Sequence, residues 1–525
     1  MVSTPTLRPF DPGHPPGESQ PDNQPVARVK SGRSWWLLVA PLALLGVLLS
    51  WAVTSPVGSS PDDDYHLSSI WCAGGERSGA CEIDPDDAGV LLVPESVGFA
   101  HECFAFDAEV TANCSEGLSA NVVPTDRVNN VQGVYPGGFY RVMGLLVGPD
   151  EVRSVLAMRV LNALIAVVLL ALALRVLTPG IRSALLVVVV VLYIPVGLFI
   201  IPSTNPSSWT LTGITYLWAF ALALAHRRNW RSRRTWVLAA ATIVSAALAI
   251  GSRVDAAAYV SLVIAVVLLL TGYQRIRRAW ITAAVLVVIA AFGFVQFATF
   301  GTPGSGEIGG MGGTQPGAGL LLTNIVFLPV YLSGAVGGMA IGWNDTPLPP
   351  MVFVFGVLVL GALAYRGLQQ LSARKSMASV VALAAVVAVP LLFLQLEGLG
   401  VGEVVQARYL LPLMVLLFAT LSLPVTYAKP SAPGLPLPRA AAWTIGVAMA
   451  ATASISLWVN AHRYAAGSTR GLFDLDLQMD WTGLLPIPLP VVVALGVVAS
   501  IAYVAAAVVS VHRDGVRPQL PRVGG

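Results

Sequence analysis

The sequence predicts an all-α integral membrane protein with about twelve transmembrane helices. Of its 525 residues, 55% are hydrophobic and only 11% are charged, and the mean hydropathy is +0.72, which does not describe a water-soluble surface. The apolar residues fall into separate runs near the roughly 20 residues that cross a membrane. Basic residues gather in short connections between some runs, as in cytoplasmic loops. We therefore expect a multi-pass plasma-membrane protein with both termini in the cytoplasm.

The N-terminal residues 1–33 are rich in Pro, Asp, Gln and Gly without apolar periodicity, which predicts a disordered cytoplasmic tail. The tail ends with the basic residues Arg28, Lys30 and Arg33. They should hold the adjacent end of a first transmembrane helix, residues 34–53, inside the cell. A cleaved signal peptide fits less well, because the tail is long and no small-residue cleavage site follows cleanly.

Residues 54–152 form a polar segment that is too long for a simple connection. Between Thr54 and Asp150 it contains 15 of the 28 Asp and Glu residues of the chain. We expect it to fold as a large extracytoplasmic first loop.

All four cysteines lie in this loop. Their spacing allows two local pairs, Cys72 with Cys81 and Cys103 with Cys114. Disulfides on an oxidising face explain the spacing economically. A zinc cluster is the alternative, but there is no CxxC pair, and His66 and His101 lack ligand-like spacing.

Residues 153–300 contain six apolar runs and are predicted to form transmembrane helices 2–7. Two connections in this region are strongly basic, one with Arg227, Arg228, Arg231, Arg233 and Arg234 and one with Arg275, Arg277 and Arg278. Both connections fall in the cytoplasm if the N-terminus does.

The segment 301–350 contains an apolar run at 320–342 that is long enough to cross. A crossing there would force the basic C-terminal tail, residues 512–525, to the outside. We therefore expect 301–350 to be an outer loop with a re-entrant or interfacial hairpin. Transmembrane helices 8–12 then occupy residues 351–511.

Chemistry is expected first at the run from Ser59 to His66, directly after the first helix. Asp62, Asp63 and Asp64 repel one another, so a cation, a basic partner or water must offset the repulsion. One carboxylate with a raised pKa could then act as a general base while a neighbour positions it or holds a divalent metal. The alternative is a solvated acidic turn in which Asp62 caps a short helix.

A second polar feature places Gln406, Arg408 and Tyr409 where a transmembrane helix begins. Arg408 can hold a lipid-linked phosphate there by paired hydrogen bonds, or it can reach lipid headgroups as interfacial arginines do. Arg253 and Asp255 lie at another outer junction, either as a structural ion pair or as part of the same cavity.

Trp343 and Asp345 belong to a further polar outer turn. Trp343 could stack on a sugar, although interfacial aromatic residues are common without any ligand. The chain contains no P-loop, GxSxG, HExxH or GxGxxG in a strand-to-helix context. These absences argue against an ATPase, an α/β hydrolase, a zincin and a dinucleotide-dependent enzyme.

Together these motifs resemble a large actinobacterial family of multi-pass membrane proteins of unknown function, usually placed with the C-type (GT-C) glycosyltransferases. Pro61-Asp62-Asp63 with His66 is similar to the Pro-Asp-Glu…His motif of that family. Gln406-Ala407-Arg408-Tyr409 through Pro412 is similar to its Gln-Gly-Arg-Tyr…Pro signature, and Gly342-Trp343 through Pro349 to its Gly-Trp…Asp-Thr…Pro turn. This chain departs from the family pattern with Asp at 63 and Ala at 407.

The resemblance implies a GT-C-like helix bundle that transfers a sugar from a polyprenyl-phosphate donor to a cell-envelope glycan or lipid acceptor on the extracytoplasmic face. It implies that Asp62 or Asp63 is the catalytic base; Asp64 has no counterpart. The expected substrate-binding residues are His66, Arg253, Asp255, Trp343, Asp345, Gln406, Arg408 and Tyr409. A divalent metal at Asp62 and Asp63 is optional, because polyprenyl phosphate is already a good leaving group.

Two other functions stay open at this point. A lipid or polysaccharide transporter or flippase would need a continuous polar path, and the spanning segments contain few ionisable residues. A non-catalytic scaffold for envelope assembly would keep the fold without the chemistry. Membrane lipids are partners in every case, and no nucleic acid is expected.

Overall fold

The computed structural model describes residues 36–87, 90–128, 135–300, 316–403, 405–429, 433–471, 474 and 487–515. The predicted tail 1–33 lies outside these residues. So do 301–315 of the predicted outer loop and 516–525 of the predicted C-terminal tail.

Helices account for most of the described chain. They are α1 (Trp36–Thr54), α2 (Asp63–Cys72), α3 (Glu95–Gly98), α4 (Gly137–Gly144), α5 (Glu151–Val176), α6 (Pro179–Val191), α7 (Val196–Ile200), α8 (Ser207–Ala225), α9 (Arg233–Ile250), α10 (Val254–Thr271), α11 (Tyr273–Arg278), α12 (Trp280–Phe300), α13 (Ala318–Gly334), α14 (Pro350–Leu368), α15 (Ala373–Glu397), α16 (Leu411–Leu421), α17 (Arg439–Ala466) and α18 (Leu489–Gly515). Short 3₁₀ helices cover Ala112–Gly117 and Ala407–Leu410.

Within the described ranges, nine helices are long and apolar enough to cross a membrane: α5, α8, α9, α10, α12, α14, α15, α17 and α18. Four further apolar stretches are shorter, at Leu38–Thr54, Pro179–Val191, Ala318–Gly334 and Ala407–Leu421. The prediction of an all-α membrane protein is therefore confirmed. The predicted number of about twelve crossings is not, because several of the expected spans form only short helices.

Two of the expected spans are interrupted at proline residues: the apolar run 183–201, within the region predicted to form helices 2–7, and the apolar run 409–428, within the region predicted to form helices 8–12. The predicted crossing at 183–201 contains α6, which ends at Val191, and the five-residue α7, with Pro195 between them. The predicted crossing at 409–428 contains α16, which ends three residues before Pro424. Proline has no backbone N–H and its ring clashes with the preceding turn, so a helix does not continue smoothly through it. Hydropathy alone does not register these breaks.

The helix ends form two chemically different faces. At one face, which we call the basic end, Arg234 donates to the Val176 carbonyl oxygen at 3.0 Å and Lys375 to the Leu421 carbonyl oxygen at 2.7 Å. At the other, the disulfide end, lies the polar segment between α1 and α5. The predicted pairs Cys72–Cys81 and Cys103–Cys114 are both formed there, with Cα separations of 5.2 and 6.0 Å.

A small antiparallel sheet at the disulfide end supports α2. Its strands are β1 (Glu82–Ile83), β2 (Leu91–Pro94) and β3 (Val122–Thr125), in that order, with Leu92 opposite both Glu82 and Pro124. The Cys72–Cys81 disulfide joins the last residue of α2 to the residue before β1. The sheet and α2 are therefore covalently linked.

Helix α8 forms the centre of the bundle, and every one of its residues is buried. It packs closely on α9 because Gly213 allows the backbones to approach. A Cβ atom at Gly213 would lie 2.7 Å from the Ser245 carbonyl oxygen and 2.8 Å from the Ala249 nitrogen. Small residues at helix contacts commonly permit such close packing in membrane proteins.

Helix α13 lies in the region that was predicted to form a re-entrant or interfacial hairpin. Near its first turn Gln395 donates to the Gly317 carbonyl oxygen at 3.1 Å, and near its last turn Tyr331 donates to the Gln406 carbonyl oxygen at 3.2 Å. Between them, Asn324 donates to the Leu399 carbonyl oxygen at 2.9 Å. The helix therefore contacts the last turn of α15 near its start, and the connection between α15 and α16 further along.

Candidate functional site

A buried arginine from α5 fixes the turn between α1 and α2. Arg159 is 3% exposed and donates to three carbonyl oxygens, those of Ala52 at 3.0 Å, Pro56 at 2.8 Å and Ser55. A buried guanidinium needs such acceptors, since burying a charge without partners is costly. Asn205, just before α8, also donates to the Pro61 carbonyl oxygen at 2.8 Å. Arg159 in α5 and Asn205 just before α8, both distant in sequence, thus hold the turn that precedes the aspartates.

The three consecutive aspartates diverge to three different partners. Asp62 forms an ion pair with Arg408, and Asp64 forms one with Arg127. Asp63 accepts hydrogen bonds from Thr204 Oγ1 at 2.7 Å and from the Ser60 backbone N–H at 3.1 Å. Successive side chains at a helix start point about 100° apart, so the three carboxylates are directed to different partners and do not form one cluster, although the charge of Asp62 still raises the pKa of Asp64.

Asp62 occupies the N-cap position of α2, but its side chain makes no capping hydrogen bond. Its φ angle of 60° lies in the left-handed region, which Asp tolerates better than most residues. The side chain is directed instead to Arg408 and remains 42% exposed. The carboxylate is thus available both to a basic partner and to a molecule arriving from outside.

The different surroundings separate the pKa values of the three carboxyl groups. Complete burial raises the pKa of Asp63 to about 7, against the opposing field of Arg159 and the Thr204 hydrogen bond. Burial also raises the pKa of Asp64, with Arg127 acting against it. Desolvation acts in the same direction on Asp62, but the positive charge of Arg408, assisted by other nearby groups, outweighs it and lowers the pKa. Asp62 is therefore ionised at neutral pH.

His66 lies one turn after Asp62 and is 2% exposed. Its Nδ1 shares a hydrogen bond of 2.9 Å with the Tyr140 hydroxyl, while Nε2 is buried and has no partner among the described residues. Burial lowers the pKa of His66 to about 3, although the charge of Asp62 opposes the shift. The imidazole is therefore neutral at physiological pH.

Arg408 is the other half of the candidate site and lies just before α16. Its side chain is 3% exposed and donates to Asp62, to Gln406 Oε1 and, at 3.0 Å, to the Tyr409 hydroxyl. Gln406 in turn donates from Nε2 to the Gly342 carbonyl oxygen at 3.2 Å. Arg408 therefore joins the first polar loop to the connections before α14 and α16.

Arg253 approaches the same place from the start of α10. Its Nε donates to Asp255 Oδ1 at 2.9 Å, as predicted for a structural ion pair. The guanidinium carbon lies 4.5 Å from the centre of the Tyr409 ring, and that of Arg408 lies 4.8 Å from the same centre. Tyr409 is therefore in cation–π contact with both arginines.

Two cavities meet at Arg408. The first has about 340 Å³ of space between its atoms, counted together with the open solvent at its mouth, and is lined by Pro61, Asn344, Gln406 and Arg408 among others. The second has about 280 Å³ of space, again counted with open solvent, and has Ser207, Arg253, Asp255, Tyr409 and Arg408 in its wall. Arg408 thus separates a cavity beside the aspartate turn from one between the N-terminal ends of α8, α10 and α16.

Trp343 and Asp345 are not brought to the aspartates and instead support the surrounding loops. Trp343 is 5% exposed, donates from Nε1 to the Gly58 carbonyl oxygen at 2.7 Å and has His101 stacked on its ring at 4.9 Å. Asp345 accepts a bond of 3.0 Å from Arg463, whose guanidinium also binds the Phe104 carbonyl oxygen. Neither side chain contacts Asp62 or Arg408.

Residues 45–417 match the model of a family described as "Predicted membrane protein (DUF2142)". The chain belongs to this family. No curated protein matches it significantly. The DUF2142 region contains both partners of the Asp62–Arg408 ion pair as well as Arg253, and it ends before α17. Membership of a family of predicted membrane proteins agrees with the apolar helices of this DUF2142 chain.

Several residues of the site were not singled out from the sequence. Arg159 could have been found as an arginine inside an apolar run, since charged residues within spanning helices are usually paired and functionally important. Arg127 is one of three basic residues between Thr54 and Asp150, which suggested a partner for an acid without saying which. Tyr140 left no such signal.

The described residues do not form an arrangement suited to a metal ion. Asp62 and Asp63 are directed to different partners, and no group of three or more His, Cys, Asp or Glu side chains in the described part of the chain could hold a metal. The optional divalent metal at Asp62 and Asp63 therefore has no suitable ligand set among the described residues.

Proposed function

We propose that this protein is a C-type membrane glycosyltransferase that moves a sugar from a polyprenyl-phosphate donor to a cell-envelope glycan or lipid. The observation that carries the proposal is the Asp62–Arg408 ion pair at the meeting point of two cavities. It sets a candidate base beside a buried cation suited to a phosphate, within an otherwise apolar helix bundle.

The proposed reaction takes place on the extracytoplasmic face. Two disulfides near the site support an oxidising environment at this end. The clustered arginines lie at the opposite end, as the positive-inside rule requires for a cytoplasmic face. We also propose that the helices form a GT-C-like bundle, in which some of the shorter apolar helices cross the membrane as well.

In the proposed mechanism Asp62 is the general base. It accepts the proton of the acceptor hydroxyl while the hydroxyl oxygen forms a bond to C1 of the donor sugar. The C1–O bond to phosphate breaks, and its electron pair leaves with the phosphate oxygen. Arg408 stabilises the negative charge on the departing polyprenyl phosphate. Attack opposite to the leaving group inverts the anomeric configuration.

Asp63 is assigned a positioning role. Its side chain is completely buried, and both carboxyl oxygens already accept hydrogen bonds within the protein. Asp62 is 42% exposed, so it is the carboxylate that an acceptor can reach. This assigns different roles to the two neighbouring acids that the sequence left as alternatives for the base.

The test uses cells from which this protein has been deleted. It compares their envelope glycans with those of the same cells expressing wild type, Asp62→Asn or Asp86→Asn. Asp86 is an exposed acid in the same loop and serves as the matched control. We expect one glycosidic linkage to disappear without the protein and with Asp62→Asn, and to return with wild type and Asp86→Asn. Full restoration by Asp62→Asn, or an unchanged glycan profile without the protein, would contradict the proposal.

Purified protein distinguishes transfer from transport. A labelled polyprenyl-phosphate sugar in proteoliposomes should yield a new glycosidic bond only when the acceptor is present. Movement of the labelled lipid between leaflets without any new bond would instead identify a transporter.

A further inference from the structure

The second cavity, which we call the arginine cavity, contains hydrogen-bond donors without partners. It lies between the N-terminal ends of α8, α10 and α16 and is lined by Ser207, Arg253, Arg408 and Tyr409 among others. Within the described chain, Arg253 Nη1, Arg408 Nε and Ser207 Oγ are buried and lack a hydrogen-bond partner. Buried donors are normally satisfied, and here three of them lie on residues that line one cavity.

The charges of this cavity are balanced by two partly exposed acids, Asp255, whose side chain is 33% exposed, and Asp62. Arg253 is paired with Asp255 two residues further along the chain. Arg408 is paired with Asp62, which is 42% exposed and belongs to a different part of the fold. The Arg408 side chain itself is 3% exposed, so its charge needs an anion at close range whether or not Asp62 supplies it.

We propose that the arginine cavity binds the phosphate of a prenyl-chain lipid, and that the Asp62 carboxylate occupies the phosphate-binding edge of Arg408 until that phosphate arrives. The lipid phosphate and Asp62 compete for the same guanidinium. Binding of the phosphate releases Asp62 toward the first cavity, where an acceptor can meet it. The base of the proposed reaction is thus freed by the donor, and this last step rests on the proposed function.

A lipid phosphate suits the wall of the cavity better than a free one. Besides its polar groups, the wall contains Leu211, Leu411 and Pro412 on apolar helices. A guanidinium can bind two phosphate oxygens in parallel, while the apolar side chains suit the first carbons of an attached chain. Replacement of Asp62 by a phosphate also keeps the buried arginine neutralised.

The experiment measures the affinity of purified full-length protein in nanodiscs for farnesyl phosphate. We expect Asp62→Asn to bind it about three- to tenfold more tightly than wild type, because an internal competitor is gone. Asp62→Ser should act in the same direction. Arg408→Gln and Arg253→Gln should each weaken binding, Arg408→Gln by more than about tenfold.

The matched control is Asp64→Asn, because Asp64 is paired with Arg127 and not with Arg408. It should leave the affinity unchanged. Equal tightening by Asp64→Asn would mean that loss of negative charge alone is responsible, and this would overturn the competition. Unchanged or weaker binding by both folded Asp62 variants, checked by their melting temperatures, would overturn it as well.

Two further ligands identify the source of the phosphate. Farnesol should not bind detectably to the cavity, and inorganic phosphate should bind more weakly than farnesyl phosphate with the same order of variants. Equal affinity for inorganic phosphate would overturn the assignment to a lipid. These experiments measure binding and not sugar transfer. They can therefore refute the competition between Asp62 and the lipid phosphate without refuting the transferase function.

Discussion

Asp62 and Arg408 lie 346 residues apart in the chain and form an ion pair beside two cavities. Asp62 reaches this position from the turn after α1, and Arg408 from the 3₁₀ helix before α16. Four predictions follow from this contact and from the packing around it.

Replacement of Arg408 by lysine should reduce sugar transfer by about a hundredfold, because an ammonium cannot copy the flat fork that stabilises phosphate. The guanidinium now bonds Asp62, Gln406 and Tyr409 together, and lysine cannot satisfy all three in this geometry. The rate of transfer per folded protein molecule is the measurement. Arg366→Lys, on a partly buried residue near Pro436, is the control and should retain activity; equal activity of Arg408→Lys would exclude the phosphate role.

Asp63→Asn should weaken the dependence of stability on pH. The pKa of Asp63 is raised to about 7 in the folded protein from a usual value of 3.8. Between these two values the folded state holds one more proton than the unfolded state, so the free energy of unfolding falls as pH rises from about 4 to about 7. The shift accounts for at most about 4 kcal/mol over this interval, at about 1.4 kcal/mol for each pH unit.

Melting temperatures of wild type and Asp63→Asn at pH 4.5, 6 and 8 test this. The wild type should lose stability relative to the variant as pH increases. Asparagine can still accept from the Ser60 N–H and bond to Thr204, so the variant should fold. Parallel pH profiles for the two proteins would show that the buried carboxyl does not titrate in this range.

Arg463→Met should destabilise the protein by about 3–5 kcal/mol, because it leaves the Asp345 carboxylate buried without its partner. Asp345 has no exposed side-chain surface, and Arg463 also binds the carbonyl oxygens of Phe104 and Val110. Adding Asp345→Asn should recover a large part of the loss. Melting temperatures of the two single variants and the double variant measure the coupling, and strictly additive effects would contradict it.

Gly213→Ala should destabilise the bundle by at least about 1–3 kcal/mol, since the added methyl group meets backbone atoms of α9 and the core cannot yield easily. The nearest atom is 2.7 Å away. Gly361→Ala is the matched control, because a Cβ at Gly361 in α14 meets no atom within 4 Å. It should be neutral or slightly stabilising in a helix. A similar melting temperature for both variants would argue against tight packing of α8 on α9.

Sequence reasoning located the polar features of the site because each is local. The aspartates after the first apolar run, the arginine before another run and the paired cysteines are visible as residue types at short spacing. Both disulfides formed as predicted, at sequence separations of 9 and 11. Local spacing could not show that Pro195 divides one expected crossing into α6 and α7, since hydropathy averages over such a break.

The sequence by itself determined that this is a helical membrane protein with an acidic, disulfide-bonded loop, because composition and apolar runs fix how a chain divides between water and lipid. Only the tertiary structure decided which acid meets which base. Asp62 pairs with Arg408, Asp64 with Arg127, and Asp63 with Thr204 near Arg159. These partners lie in segments far apart in sequence, and the packing of the bundle that brings the segments together, which no short motif encodes, gives three neighbouring aspartates three different environments.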